Sequence, residues 1–299
     1  MPNQLSLSDY LERYYLPARI ALSEEYTRQL RWLVRKFGPV LLGDLSEQRI
    51  TAYLSMRAQT QAASTVNREG RYLRMLWTAA YDDGLCDRPP RRIRRLPERV
   101  PTPTAWTSEE VGRLLLEAGT LRGRVFGVPA SVWWSSLFAT AYWTGCRIGA
   151  LRQAKVSDWD SERSALTIIR QKNGHEQLYI LPASCAQRLN ALASYAKHDA
   201  ASLWPWRFAR QTMFTHARQI IEASGIRCPK SHLQLFHRLR RTNLTYCAKA
   251  DPVVAQRQAD HASYETTRKH YIDPTICSGR SAADVLPEPV CVTRLTVIG

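Results

Sequence analysis

A proline-rich basic segment divides the sequence into two parts. RPPRRIRRLPERVPTP (residues 88–103) contains five prolines and six arginines. Proline fixes φ and lacks a backbone N–H, so the segment suits neither a helix interior nor a central strand. We predict an extended basic linker over residues 91–105. With 299 residues, the chain is long enough for a domain on either side, and we place them at residues 1–90 and 106–275, followed by a tail at 276–299.

The first part reads as a small helical unit. SEEYTRQLRWLVRKFG (23–38) opens with a serine and two acids and ends at glycine, which is the pattern of a capped helix. SEQRITAYLSMR (46–57) and STVNREGRYLRMLWTAAYDDG (64–84) repeat the design. Apolar residues recur at helical spacing along one side of the first and third helices: Tyr26, Leu30, Leu33, Val34, Phe37, Val66, Leu73, Leu76, Trp77 and Ala80.

Arginines occupy the opposite sides of these helices. They are spaced three or four residues apart, and more follow in the linker: Arg28, Arg31, Arg35, Arg68, Arg71, Arg74, Arg91, Arg92, Arg94 and Arg95. Such stripes fit a phosphate backbone. Solvated helix faces have the same pattern, so the arginines alone leave both interpretations open.

The second part mixes helices with one hairpin. TSEEVGRLLLEA (107–118) predicts a capped helix, and SVWWSSLFATAYWTG (131–145) predicts a buried one, because serines and threonines interrupt it too often for a membrane span. SALTIIRQ (164–171) and EQLYILP (176–182) flank an Asn-Gly pair, the strongest short hairpin signal. The hairpin tip would carry Lys172. Helical patterns return afterwards, so the chain is expected to be mostly α with a small β-sheet.

The net charge of the chain indicates which class of molecule it binds. Lys and Arg total 42 against 26 Asp and Glu, a formal charge of +16, which favours nucleic acid over other partners. The N-terminal MPNQLSLSDY lacks the features of an export signal. We therefore expect a cytoplasmic, nucleoid-associated protein without membrane contact.

Several reaction classes find no support in the sequence. Carboxylates are scattered, whereas metal-dependent phosphodiester cleavage needs them clustered. Walker A, G-x-G-x-x-G and G-x-S-x-G motifs are missing. The seven cysteines form no C-x-x-C pair, which argues against a zinc site or a disulfide framework. No metal or other cofactor is expected.

What remains is an ordered set of cations, imidazoles and a tyrosine. TGCRIGALR is followed by the hairpin lysine, by HRLR within FHRLRRTN (236–243), and by a histidine separated by nine residues from the last of three candidate tyrosines, Tyr246, Tyr264 and Tyr271. This order resembles the signature of the tyrosine recombinases, the phage integrase family. TVNREGRYLRMLWTAA also resembles the last helix of that family's core-binding domain, so the similarity spans residues 5–275.

The resemblance implies a SAM-like core-binding domain and an α+β catalytic domain forming a C-shaped clamp on duplex DNA, with dimers or tetramers on the DNA. It also implies a set of catalytic residues: Arg147, Lys172, His237, Arg240, His261 and Tyr271. Arg147 and Arg240 would hold the scissile phosphate, and Tyr271 would attack it to form a 3′-phosphotyrosine. His237 would accept the phenolic proton, Lys172 would protonate the 5′-oxygen, and His261 would donate a hydrogen bond.

Two positions depart from the family pattern. Ala150 stands where an acidic residue is common, so any support it gives the first arginine must come from elsewhere, and Asp260 replaces a glycine whose left-handed geometry Asp tolerates. Two other functions remain open: a type IB topoisomerase, and a catalytically silent DNA-binding regulator. The segment CVTRLTVIG (291–299) has no assigned role.

Overall fold

The computed structural model describes residues 4–99, 101–169, 176–231 and 234–277. By its internal contacts the chain divides into two compact units, unit 1 at Met1–Val100 and unit 2 at Pro101–Gly299. Lys172 and the rest of the hairpin tip lie outside the described residues, as does nearly all of the tail from residue 278 onward. None of the helices in these ranges is both long and apolar enough to cross a bilayer.

Unit 1 is helical, as expected. Its helices are α1 (Leu7–Tyr10), which continues as a π-helical turn (Leu11–Tyr15), α2 (Glu24–Phe37), α3 (Glu47–Ala58) and α4 (Ala63–Asp82). The Ser23 hydroxyl caps α2 by accepting from the Tyr26 N–H at 3.2 Å. The apolar faces predicted for α2 and α4 pack into one buried core, to which α1, α3 and the connecting segments also contribute, so both helices and their buried faces are confirmed.

The basic segment after α4 is extended and packs on unit 1. Residues 89–99 contain no helix or strand. The Asn67 side chain accepts from the Leu96 N–H at 2.8 Å and donates to the Leu96 carbonyl at 2.9 Å. Ile93 packs against the core of the unit. The first part of the predicted linker is therefore attached to α4.

Unit 2 contains the remaining elements. Its helices are α5 (Ser108–Thr120), α6 (Ala130–Thr144), α7 (Ile148–Leu151), α8 (Ala183–Ala193), α9 (Arg210–Ala223), α10 (Leu235–Ala250), α11 (Pro252–Ala259), α12 (Tyr264–Tyr271) and α13 (Pro274–Cys277). Its strands are β1 (Arg124–Val125), β2 (Val128–Pro129), β3 (Trp159–Asp160), β4 (Ala165–Ile169) and β5 (Glu176–Ile180). The expectation of a mostly helical chain with a small sheet is confirmed.

The sheet and the central helix follow the sequence signals. Strands β3, β4 and β5 are antiparallel, with Thr167 opposite Leu178 in the predicted hairpin. Helix α6 is buried on nearly all sides and packs against α5, α8 and α10. Two hydroxyls of α6 donate to carbonyls within the helix: Ser136 to the Trp133 carbonyl at 3.0 Å and Thr144 to the Thr140 carbonyl at 2.6 Å. The segment is therefore a buried helix, as predicted, and it lies at the centre of unit 2.

Candidate active site

Four of the six predicted catalytic residues lie together at one end of α10. His237 and Arg240 occupy one face of α10, three residues apart, and Tyr271 is the last residue of α12. The Tyr271 ring lies 6.2 Å from the His237 ring and 5.1 Å from the His261 ring, between centroids. The guanidinium carbon of Arg240 lies 5.1 Å from the centroid of the same ring. Tyr271 is thus surrounded by two imidazoles and a guanidinium.

Arg147 lies just before α7, and its position follows from the end of α6. The side chain is exposed and has no hydrogen-bond or ion-pair partner among the described residues. Its charge nevertheless contributes to lowering the pKa of both His237 and Arg240. Arg147 therefore belongs to the same electrostatic cluster. Lys172, the sixth predicted residue, falls outside the described residues.

Arg240 is a buried cation held by carbonyl groups instead of carboxylates. Only 2% of the residue is exposed. Nη1 donates to the Gly145 carbonyl at 2.7 Å and Nη2 donates to the Ala259 carbonyl at 2.9 Å. No carboxylate in the described part of the chain pairs with it, and its Nε is buried without a hydrogen-bond partner there. Burial lowers the pKa of Arg240, an effect that the nearby phenol of Tyr271 opposes.

His237 is neutral at physiological pH. Although the residue is exposed, desolvation by surrounding protein atoms and the charges of Arg240, Arg241 and Arg147 lower its pKa to about 4. Arg210, at the start of α9, adds a smaller contribution of the same sign. A neutral imidazole can accept a proton, whereas an imidazolium cannot.

His261 is oriented by a buried hydroxyl. Its Nδ1 lies 2.9 Å from Oγ1 of Thr267, which is fully buried in α12. The preceding Asp260 ends α11 in the left-handed region at φ 52° and ψ 50°, so this turn forms with Asp in place of glycine, as the sequence predicted. The turn points the chain from α11 into α12, which carries the tyrosine.

The backbone at Tyr271 is fixed to α10. Thr245 Oγ1 donates to the Tyr271 carbonyl at 3.2 Å and accepts from the Asp273 N–H at 3.0 Å. The Asp273 carboxylate, which is buried, accepts in turn from the Ala105 N–H at 2.7 Å. One helix therefore positions the backbone of Tyr271 as well as His237 and Arg240.

Sequence reasoning missed several polar residues around this site. Asn243 lies on α10 one turn beyond Arg240, and Gln258 lies near the end of α11. Both donate to carbonyls at the end of α6. The i, i+3 spacing of Arg240 and Asn243 was a usable signal, because a polar residue on a buried helix face needs a hydrogen-bond partner.

The predicted DNA-binding arginines are all exposed, and they line two grooves on unit 1. The α2–α4 groove has a volume of about 1240 Å³ and includes Arg28, Arg31, Arg35 and Arg68. The α4–linker groove has a volume of about 880 Å³ and is lined by another set: Arg71, Arg74, Arg92, Arg94 and Arg95. Arg91 is exposed beside it, and its carbonyl accepts from Arg74 Nε at 3.1 Å.

The cations of the α2–α4 groove differ in how they are paired. Arg28 forms an ion pair with Glu25, and Arg31 donates two hydrogen bonds to Glu12, each at 2.7 Å. Three further groove cations are exposed and have no partner in the described ranges: Arg35, Lys36 and Arg68. We call these three the open cations. They can contact an anion without first breaking an ion pair.

The phage integrase family model matches residues 106–276, which is more than half of the chain. The chain belongs to the phage integrase family. The resemblance to tyrosine recombinases drawn from the sequence is therefore confirmed, and this recombinase is a site-specific DNA strand-transfer enzyme by family. The comparison with curated proteins gave no match.

Solved structures show the same fold. The Tn1549 transposon integrase in complex with a circular intermediate DNA aligns with a TM-score of 0.69 at 14% identity, covering 89% of this chain and 94% of that one. A lambda integrase dimer bound to a COC′ core site aligns at 0.64 and 16% identity, covering 89% and 78%. XerH site-specific recombinase bound to palindromic difH aligns at 0.63 and 17% identity, covering 82% and 75%.

No group of three or more His, Cys, Asp or Glu side chains in the described ranges is arranged to hold a metal ion. The six cysteines described are free thiols. The side chains gathered around the end of α10 are cations, imidazoles and a phenol, which together can bind a phosphate and transfer a proton.

Proposed function

We propose that this tyrosine recombinase cuts and rejoins duplex DNA through a 3′-phosphotyrosine link to Tyr271. The observation that carries the proposal is the environment of Arg240. A guanidinium that is 2% exposed, lacks a carboxylate partner in the described chain and has a buried, unpaired Nε is costly to maintain. An anion such as a DNA phosphate would satisfy it, and the phenol of Tyr271 already lies against it.

The first step is an in-line exchange at phosphorus. The phenolic oxygen of Tyr271 forms a bond to phosphorus while the bond from phosphorus to the 5′-oxygen breaks. The phenolic proton passes to His237, which is neutral at pH 7 because its pKa is lowered to about 4. A bound phosphate offsets part of the arginine charge, so the pKa of His237 rises on DNA and the imidazole becomes a better base.

The charge that develops on the phosphate is stabilised by fixed donors. We assign Nε of Arg240 and the guanidinium of Arg147 to the non-bridging oxygens. If Thr267 donates to Nδ1 of His261, the proton of that ring lies on Nε2, which we assign as a further donor. We also assign the proton for the departing 5′-oxygen to Lys172, because lysine can release a proton and arginine cannot.

We further propose that unit 1 and the linker bind the DNA backbone through the arginines of the two grooves. Duplex DNA is then the partner, which agrees with the Tn1549 integrase in complex with a circular intermediate DNA, and a dimer or tetramer on DNA is the expected assembly, as in the lambda integrase dimer bound to a COC′ core site. A DNA substrate also supports a nucleoid-associated location in the cytoplasm.

The test is capture of the covalent intermediate. Sheared DNA from the source genome, including the fragments that flank the gene, is incubated with the protein and stopped with SDS, and protein-linked DNA is sequenced. The captured sequence then serves as substrate on a denaturing gel. We expect an adduct with the wild-type protein that EDTA leaves unchanged and that Tyr271→Phe abolishes while DNA binding persists.

Tyr264→Phe is the matched control, because Tyr264 is the other tyrosine of α12 and packs against the same small core. It should retain the adduct. An adduct that survives in Tyr271→Phe would refute the assignment of the nucleophile. DNA binding by the wild-type protein without any adduct would instead support a silent DNA-binding regulator.

A further inference from the structure

The C-terminal end of α6 is closed by side chains from other helices. An α-helix leaves its last four carbonyls without partners inside the helix. Here the carbonyls of Tyr142 through Gly145 all accept hydrogen bonds from α10 or α11. We call this arrangement the α6 clamp, and its donors are Asn243, Gln258 and Arg240.

Each donor of the α6 clamp covers a different part of the helix end. The Asn243 amide donates to the carbonyls of Tyr142 and Trp143 at 2.8 and 3.1 Å. The Gln258 amide donates to the carbonyls of Trp143 and Thr144 at 3.3 and 2.9 Å. Arg240 takes the Gly145 carbonyl at 2.7 Å. Asn243 and Gln258 thus share the Trp143 carbonyl, and every carbonyl from Tyr142 to Gly145 accepts at least one hydrogen bond.

The α6 clamp matters because Arg147 lies directly beyond the helix end. Gly145 is left-handed at φ 60°, and Arg147 comes two residues later at the start of a helix of only four residues. The Arg147 side chain has no partner among the described residues, and Ala150 offers it no carboxylate. The placement of Arg147 therefore depends on its backbone, which continues from the end of α6 that the α6 clamp holds and is also held by the Cys146 N–H, which donates to Thr144 Oγ1 at 3.1 Å.

We propose that Asn243 and Gln258 are positioning residues that fix the distance between Arg147 and Arg240 on the scissile phosphate. This rests on the proposed function, in which both arginines contact that phosphate. Arg240 bonds directly to Gly145, so one arginine already holds the segment that bears the other. Asn243 and Gln258 add four hydrogen bonds that hold the last turn of α6 against α10 and α11.

The test compares two uncharged, nearly isosteric variants, Asn243→Leu and Gln258→Met. Each is measured for single-turnover cleavage of the captured DNA and for DNA affinity, in the wild-type and in an Arg147→Lys background. Because a displacement of about 1 Å at a reacting group can cost about 100-fold in rate, we expect each variant to slow cleavage at least tenfold in the wild-type background. The Kd for DNA should change less than about threefold.

The Arg147→Lys background separates positioning from general damage. A residue that acts through Arg147 loses most of its effect once Arg147 is altered. We expect Asn243→Leu and Gln258→Met to slow the Arg147→Lys protein less than threefold further. Asn190→Leu is the control: Asn190 accepts from Trp159 Nε1 at 2.8 Å elsewhere in unit 2, and its substitution should have the same effect in both backgrounds.

Two results would overturn the inference: unchanged cleavage in both variants, or an equal loss in both backgrounds. Gln258 is half-buried near the end of α11, so Gln258→Met tests the inference even if Asn243→Leu fails to fold. The proposed function fails separately, either if the wild-type protein forms no adduct or if Arg147→Lys alone leaves cleavage unchanged.

Discussion

Gly145→Ala tests how closely the Asn243 side chain packs against the C-terminal end of α6. Gly145 has φ 60° and ψ 14°, and a Cβ at this position would lie 2.5 Å from Oδ1 and 2.9 Å from Cγ of Asn243. The left-handed backbone costs alanine about 1–2 kcal/mol. Moving Asn243 aside also removes its two hydrogen bonds to α6, at about 1 kcal/mol each. The expected loss in the free energy of unfolding is therefore about 3 kcal/mol.

Gly123→Ala is the matched control. Gly123 lies in the same unit with φ 85°, and a Cβ there would meet nothing within 4 Å. Gly123→Ala therefore has the free-energy cost of a left-handed alanine but no clash between its Cβ and a neighbouring side chain. For a unit of this size about 1 kcal/mol corresponds to about 2–4 °C in Tm, so calorimetry should give a fall of about 6–12 °C for Gly145→Ala and about 2–8 °C for the control.

Equal shifts in the two variants would refute the steric part of this reasoning, since only Gly145 faces Asn243. The same pair gives a second readout. Because Arg147 lies two residues beyond Gly145, cleavage by Gly145→Ala at a temperature well below its Tm should fall far more than cleavage by Gly123→Ala. Similar cleavage rates would mean that Arg147 tolerates displacement of the end of α6.

The remaining predictions concern charge. Each open cation should contribute about one unit to the slope of log DNA affinity against log salt concentration. Arg35→Ala, Lys36→Ala and Arg68→Ala should therefore each reduce that slope by about one unit. Arg31→Ala should lower the slope by less than half as much, because Arg31 already bonds Glu12, and equal slopes would refute the distinction. The folded-state pKa of His237 is about 4 against an ordinary value of 6.5, so the unfolded chain takes up a proton first as pH falls. The free energy of unfolding should therefore decrease as the pH falls from 6.5 to 4. Urea titrations at pH 7 and 4.5 should show a smaller decrease for His237→Gln than for the wild-type protein. Equal decreases would contradict the lowered pKa.

Helices and strands could be predicted from the sequence where their ends depend on residues close together in the chain. The serine before α2, the Thr107 and Glu110 capping box of α5, and the Asn-Gly pair between β4 and β5 each depend on neighbours a few residues away. The two-residue strands β1 and β2 were not predicted. Two residues are too few for an alternating pattern.

The candidate site was predictable as a set of residue types but not as an arrangement. The order of Arg147, His237, Arg240, His261 and Tyr271 is written in the sequence, whereas the partners of Arg240 are carbonyls 95 and 19 residues away. A backbone carbonyl is present at every residue, so no residue type marks the one that a buried guanidinium will reach. Asn243 and Gln258 escaped notice for the same reason, since their acceptors are also carbonyls of a distant helix.

The presence of carbonyls in place of carboxylates around Arg240 fits the proposed reaction. A carboxylate would neutralise the guanidinium and repel the phosphate, so a residue that must receive an anion is better held by neutral dipoles. Two carbonyls orient the guanidinium and leave its charge intact. The same charge lowers the pKa of His237 and so keeps the nearby imidazole neutral until DNA binds. In the proposed mechanism, a bound phosphate would accept a hydrogen bond from the buried Nε and weaken the positive field on His237, so substrate binding would raise the pKa of the base that takes the phenolic proton.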